Sequence, residues 1–103
     1  MNADSFQQLD KVIHEKNRMA IMSLLAASKE MSFTDIRESL KMTDGNLITY
    51  IRTLQKAGYV AVSKSYKEKR PLTTCRLTAE GSDAFRGYVD LLEVIVQLAR
   101  KTN

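Results

Sequence analysis

A chain of 103 residues, 44% hydrophobic and 27% charged, has the length of one domain and the apolar content of a folded one. With one histidine (His14) and one cysteine (Cys75), an intrachain disulfide is excluded and a His/Cys metal site or a nucleophilic enzyme is left with almost nothing to work with. The net charge is only +4, but residues 52–76 hold seven basic groups against one acidic, +6, while residues 1–51 and 77–103 are each −1.

The first predicted helix opens at Ser5, whose hydroxyl can cap while Gln8 reaches back, and it sets Phe6, Leu9, Val12 and Ile13 on one face. After a break near Glu15–Asn17, Met19, Ile21, Met22, Leu24, Leu25 and Ala26 make a second helix, apolar around much of its circumference and expected at the centre of the core. Ser32 caps a third helix, with Asp35 in its first turn and Phe33, Ile36 and Leu40 turned inward. Lys41 and Met42 leave room only for a tight turn before Thr43 caps a fourth helix. Its buried side is Leu47, Ile48, Ile51 and Leu54, and Ala57-Gly58 closes it with a glycine C-cap. Two short helices joined this closely form a helix-turn-helix.

A hairpin follows over about residues 59–78, with strands at Tyr59–Ser63 and Leu72–Leu77. Between them lies the basic segment Lys64–Arg70, and Pro71 begins the second strand. Thr78 caps a last helix over about 79–101, in which Phe85, Tyr88, Leu92, Ile95 and Ala99 recur at alternating spacings of three and four. Val89, Leu91, Val96 and Leu98 widen that stripe beyond what one domain needs to cover, so all nine are assigned to a dimer interface. The expected fold class is α+β, mostly α. It is a winged helix-turn-helix built as one domain over 1–103: four N-terminal helices, a β-hairpin wing and a long C-terminal dimerisation helix.

That order of elements points to duplex DNA, whose major groove admits the second helix of the pair while the wing lies against the flanking phosphates or minor groove. Rotation at 100° per residue turns Gly45, Thr49, Arg52, Thr53 and Lys56 outward and leaves Asn46 and Tyr50 at the border, with Thr43 and Asp44 at the helix start. Asn can bridge an adenine edge and Thr can meet a thymine methyl, whereas Arg52 and Lys56 sit later and suit the backbone. Gly45 costs helix stability, about 1 kcal/mol against Ala, and close approach of the helix backbone to phosphate would be a reason for it. On the wing, Lys64, Lys67, Lys69 and Arg70 are expected to hold phosphates. Tyr50 is divided between packing and DNA; beside their DNA-contact reading, Asn46 has the alternative of a plain helix-start residue and Thr49 that of a solvent-exposed one. Cys75 and His14 are expected to be structural.

Specific stretches carry a family resemblance. Phe33-Thr34-Asp35-Ile36-Arg37, Met42-Thr43-Asp44-Gly45-Asn46-Leu47 and Leu54–Val60 resemble the winged-helix transcriptional regulators related to the MarR and ArsR groups, particularly small single-domain members. Arg70-Pro71, Thr74, Arg76-Leu77-Thr78, Gly81 and Tyr88-Val89 extend the resemblance, which covers roughly residues 9–97. It implies a dimeric, sequence-specific DNA-binding regulator. Tyr50 stands where such members often carry His, and Glu15-Lys16 where they carry Ser-Pro-like residues. The Cys-x-Cys of metal-sensing members is missing from the helix before the recognition helix.

The expectation is thus a homodimeric repressor with double-stranded DNA as its partner. It would read a pseudo-palindromic operator through two helices 43–57 set about 34 Å apart. No catalytic residue, metal or cofactor is expected, and no residue cluster names a small-molecule effector. A polar N-terminus and the lack of any apolar run of ~18–20 residues lead to the expectation of a cytoplasmic protein off the membrane, with no room for a separate sensor domain. The alternative is a winged-helix protein–protein interaction module whose basic surface docks an acidic protein.

Overall fold

The computed structural model describes residues 6–101. Glu15, in extended backbone, opens helix α1 (Lys16–Ala26) by accepting hydrogen bonds from the backbone N–H groups of Asn17 and Arg18. Partial burial pushes the Glu15 carboxyl up, but those N–H groups and the Arg18 guanidinium outweigh it and hold it below its ordinary value. Ahead of this cap the chain departs from the predicted first helix. Phe6 and Gln7 are helical, and the chain then runs as turns and bends to Glu15; the expected cap at Ser5 lies outside the described residues. The reason is Asp10, whose carboxylate accepts from the N–H of Val12 (2.8 Å) and Ile13 (3.2 Å) and so competes with helical pairing. Leu9 and Ile13 are buried all the same, and Phe6 is left 51% exposed.

Ser32 caps helix α2 (Phe33–Leu40) by accepting from Asp35 N–H. At its end Lys41 takes a left-handed conformation (φ 54°) while Met42 N–H reaches the Arg37 carbonyl and Lys41 N–H reaches Glu38. Thr43 caps helix α3 (Asp44–Lys56) by accepting from Asn46 N–H at 3.1 Å. That helix closes in the same way, with Gly58 at φ 85°, Gly58 N–H on the Gln55 carbonyl and Tyr59 N–H on the Leu54 carbonyl.

The sheet is antiparallel and three-stranded, in the order β1 (Met31–Ser32), β3 (Arg70–Leu77), β2 (Val60–Lys67). Strand β1 was not foreseen, because two residues carry no alternation to detect. The wing also differs from expectation. Its strands pair from Val60↔Leu77 to Lys67↔Arg70, so most of the predicted basic loop is strand. Only Glu68 and Lys69 remain as the turn, both left-handed (φ 53° and 67°), the combination a two-residue hairpin loop needs to match strand twist.

Thr78 joins wing to helix α4 (Ala79–Lys101). Its N–H donates to the Tyr59 carbonyl, its hydroxyl donates to the Gly58 carbonyl, and the same oxygen accepts from Gly81 N–H. Gly81 itself is buried against Tyr59, where a Cβ would overlap the backbone carbonyl. Ile21, Met22 and Leu25 of α1 sit at the centre of the core with Ile13, Ile36, Leu47, Leu54 and Cys75. Burial pushes the Cys75 thiol up, away from the reactive thiolate, so it behaves as a small apolar residue. Tyr59 hydrogen-bonds the Asp10 carboxylate, which with burial pushes its phenol up to about 12.

One interface assignment fails here. Tyr88 is 3% exposed, with its hydroxyl 2.8 Å from His14 Nδ1 and 3.3 Å from Met19 Sδ, so it belongs to the core of its own chain. None of the described helices is long and apolar enough to cross a membrane.

Candidate nucleic-acid interface

Leu47, Ile51 and Leu54 fix the rotation of α3 by burying one side of it. The opposite side presents Gly45, Asn46, Thr49, Arg52 and Lys56 to solvent, with Thr43 and Asp44 exposed at the start and Thr53 half-buried. Ile48 breaks the expected pattern. It is 37% exposed rather than buried, because it flanks a cleft of about 380 Å³ between α3 and the sheet.

The hydrogen bonds within α3 decide what each side chain can offer. Thr49 donates its hydroxyl to the Gly45 carbonyl (3.0 Å) and Thr53 donates to the Thr49 carbonyl (3.2 Å). With the protons used internally, both threonines offer the outside a methyl group and an acceptor lone pair. Asn46 commits only its backbone N–H to the cap, and its side-chain amide has no hydrogen bond among the described residues. Asp44 would repel phosphate, but Arg37 Nη1 holds it at 2.7 Å and ties α2 to α3. The hydrogen bond to Asp44 raises the Arg37 pKa further above its ordinary value. Tyr50 is half-buried, its hydroxyl accepting from Asn17 Nδ2 at 2.8 Å.

On the wing, side chains alternate between faces. Val62, Lys64, Thr73 and Cys75 line the cleft together with Ile48 and Arg52 of α3, so this face of the hairpin looks toward the recognition helix. Lys67, Arg70 and Arg76 occupy the other face. Together with Arg52, Lys56, Lys64 and Lys69 they are exposed and form no ion pair among the described residues. The surplus of 52–76 is therefore real surface potential, not charge cancelled within the fold.

A family model, the winged helix DNA-binding domain, matches residues 17–96. The chain belongs to that family. It is 32% identical over 79 residues to an uncharacterised protein of Methanocaldococcus jannaschii, covering 77% of this chain and 86% of that one. Among solved structures it is similar to a transcriptional regulator homologue from Pyrococcus horikoshii, with a TM-score of 0.85 at 25% identity over 91% of this chain and 95% of that one. A putative MarR-family transcriptional regulator from Enterococcus faecalis superposes with a TM-score of 0.80 at 20% identity, covering 99% and 93%.

The winged-helix domain is thus of the kind found in DNA-binding transcriptional regulators, which are not enzymes. Within it, α3 is the second helix of the helix-turn-helix and the β2–β3 hairpin is the wing. Along α4, Val89 is 42% and Val96 46% exposed, and Ala99 is exposed too. Phe85, Leu91, Leu92 and Ile95 are half-buried against their own core, and Leu98 is half-buried beyond it. Sequence reasoning missed Val94 (50% exposed), Ile48 and Tyr66 (78% exposed). Helical rotation could have flagged Val94. Ile48 depended on where the sheet packs, and Tyr66 on the length of the strands.

Proposed function

We propose that this winged-helix domain, spanning residues 1–103, works as a homodimeric, cytoplasmic repressor that covers a promoter by binding a pseudo-palindromic operator. Helix α3 enters the major groove, where Asn46 and the methyl and acceptor faces of Thr49 and Thr53 meet base edges. Thr43, Gly45 and Tyr50 line its approach, Asp44 is kept neutralised by Arg37, and Arg52 and Lys56 take backbone phosphates. Lys64, Lys67, Lys69 and Arg70 hold the flanking duplex.

The observation that carries this reading is the set of exposed cations, without ion-pair partners among the described residues, running from the back of α3 along the wing beside the polar outward face of that helix. A fluorescence titration with labelled duplex DNA, including the DNA upstream of the chain's own gene, tests it. If Arg52, Lys56 and the four wing cations of each protomer neutralise phosphates, log affinity against log salt should fall with a slope of about −11 for the dimer. Charge reversal at Lys67, Lys69 and Arg70 should abolish binding. Unchanged DNA affinity in that variant, or no duplex binding by the parent chain at low salt, would leave a protein-docking module as the better account.

A further inference from the structure

Tyr66 stands near the wing tip with 78% of its surface exposed, the most exposed of the large apolar or aromatic side chains among the described residues. Its register explains how it gets there. Because Glu68 and Lys69 form a two-residue turn, Lys67↔Arg70 is the hydrogen-bonded pair that closes the hairpin, and the next pair, Tyr66↔Pro71, is the non-hydrogen-bonded kind. Pro71 therefore loses no ladder bond, and the two rings emerge side by side on one face, where opposite side chains approach closely. Alternation along β2 puts that face on the same side as Val62 and Lys64, which is the side that looks toward Arg52 of α3.

Among the described residues nothing covers this ring, and its hydroxyl has no hydrogen-bond partner. What covers it must tolerate the surroundings. Lys64, Lys67, Lys69 and Arg70 crowd the tip, with Glu68 as the one acid, so a second wing of the same charge is repelled. The occupant has to be polyanionic and yet offer an apolar surface. Duplex DNA does both, through phosphates on the rims of the minor groove and through deoxyribose and base edges inside it. An acidic protein could satisfy the same charge, but it would have no reason to lie beside the outward face of α3, on whose side Tyr66 projects.

We infer that Tyr66 is a DNA-contacting residue of the wing. Its ring packs against the sugar and base edges of the minor groove flanking the half-site, braced by Pro71, while Lys64 on one face of the hairpin and Lys67 and Arg70 on the other meet the phosphates of the two strands. The inference rests on the DNA-binding reading above and adds to it an uncharged, apolar contact that the charge map cannot reveal.

The test uses the full chain and two fluorescein-labelled random-sequence duplexes, one of 30 base pairs and one too short to reach the wing. Tyr66→Ala should weaken binding to the long duplex about tenfold or more, the scale of losing an aromatic contact with nucleic acid. Its salt slope should match the parent, because no cation is removed, whereas Lys67→Ala should make the slope shallower. Tyr66→Phe should stay within threefold of the parent, and on the short duplex the Tyr66→Ala penalty should vanish. The site is exposed and outside the core, so circular dichroism should be unchanged in all variants. If the parent binds with a steep salt dependence while Tyr66→Ala binds equally well, the inference fails and the DNA reading survives. If the parent binds neither duplex, both fail.

Discussion

Nothing stands within 4 Å of the place a Cβ would occupy on Gly45, the second residue of α3, and the residue is exposed. Packing within the chain thus gives no reason for a glycine where alanine makes the better helix. Gly45→Ala should raise stability by up to about 1 kcal/mol, visible as a melting temperature several degrees higher. If the open space exists for a phosphate approaching the backbone, the same variant should bind duplex DNA more weakly. Stability up and affinity down is the expected pair, measured by thermal melting and by titration. A variant that gains stability and binds as well as the parent would remove the close-approach explanation. Gly81 is the contrasting case, since its missing Cβ is required by the Tyr59 carbonyl inside the same protein.

The elements divide into those that local chemistry specifies and those that it does not. Ser32, Thr43, Gly58 and Thr78 were legible as boundaries because each acts on backbone groups within a few residues. The lengths of the wing strands were not legible, since Lys64–Arg70 is a polar run that reads as loop until its partner strand supplies the pairing. The extent of the first helix was not legible, because Asp10 can either sit in a helix or fold back on Val12 and Ile13, and the burial of Leu9 and Ile13 is served by both. On the candidate site, the outward face of α3 followed from rotation alone, but Tyr88 and Ile48 were misplaced because their partners come from distant segments. The turn at Glu68-Lys69 leads to a prediction of its own. Two non-glycine residues held left-handed carry a backbone penalty of about 1 kcal/mol each, and in this kind of turn glycine is favoured at the second position. Lys69→Gly should therefore raise the melting temperature while making the salt slope of DNA binding shallower by about 1.8 per dimer. A variant that melts lower would show that the lysine contributes more to the folded wing than its conformation costs.

At the scale of the whole molecule, the radius of gyration is 15.6 Å and the extents are 57 × 25 × 21 Å. A compact chain of about 100 residues has a radius near 13 Å, and two long elements are at hand to account for the excess, the eight-residue strands of the wing and α4. At 23 residues this helix is about 35 Å long, and its contacts with the core extend only to Ile95. Beyond the bulk of the domain it carries Val96 and Ala99 into solvent, about two and three turns after the similarly exposed Val89. Val89 and Val96 are seven residues apart and share a flank with Phe85 and Leu92, a seam of the width a second helix would cover. On the proposed reading a second copy would supply that helix with two-fold symmetry, and the same symmetry would set two α3 helices against successive turns of DNA. The chain should sediment at twice its 11.7 kDa at micromolar concentration. Val89→Glu with Val96→Glu should return it to 11.7 kDa with its circular dichroism intact, since both positions are already in contact with water within one protomer. DNA affinity should fall in the same variant, because each monomer keeps its α3 and wing but holds one half-site. A double variant that still sediments as a dimer would move the interface off this flank, and a parent chain that sediments as a monomer would leave α4 without a partner.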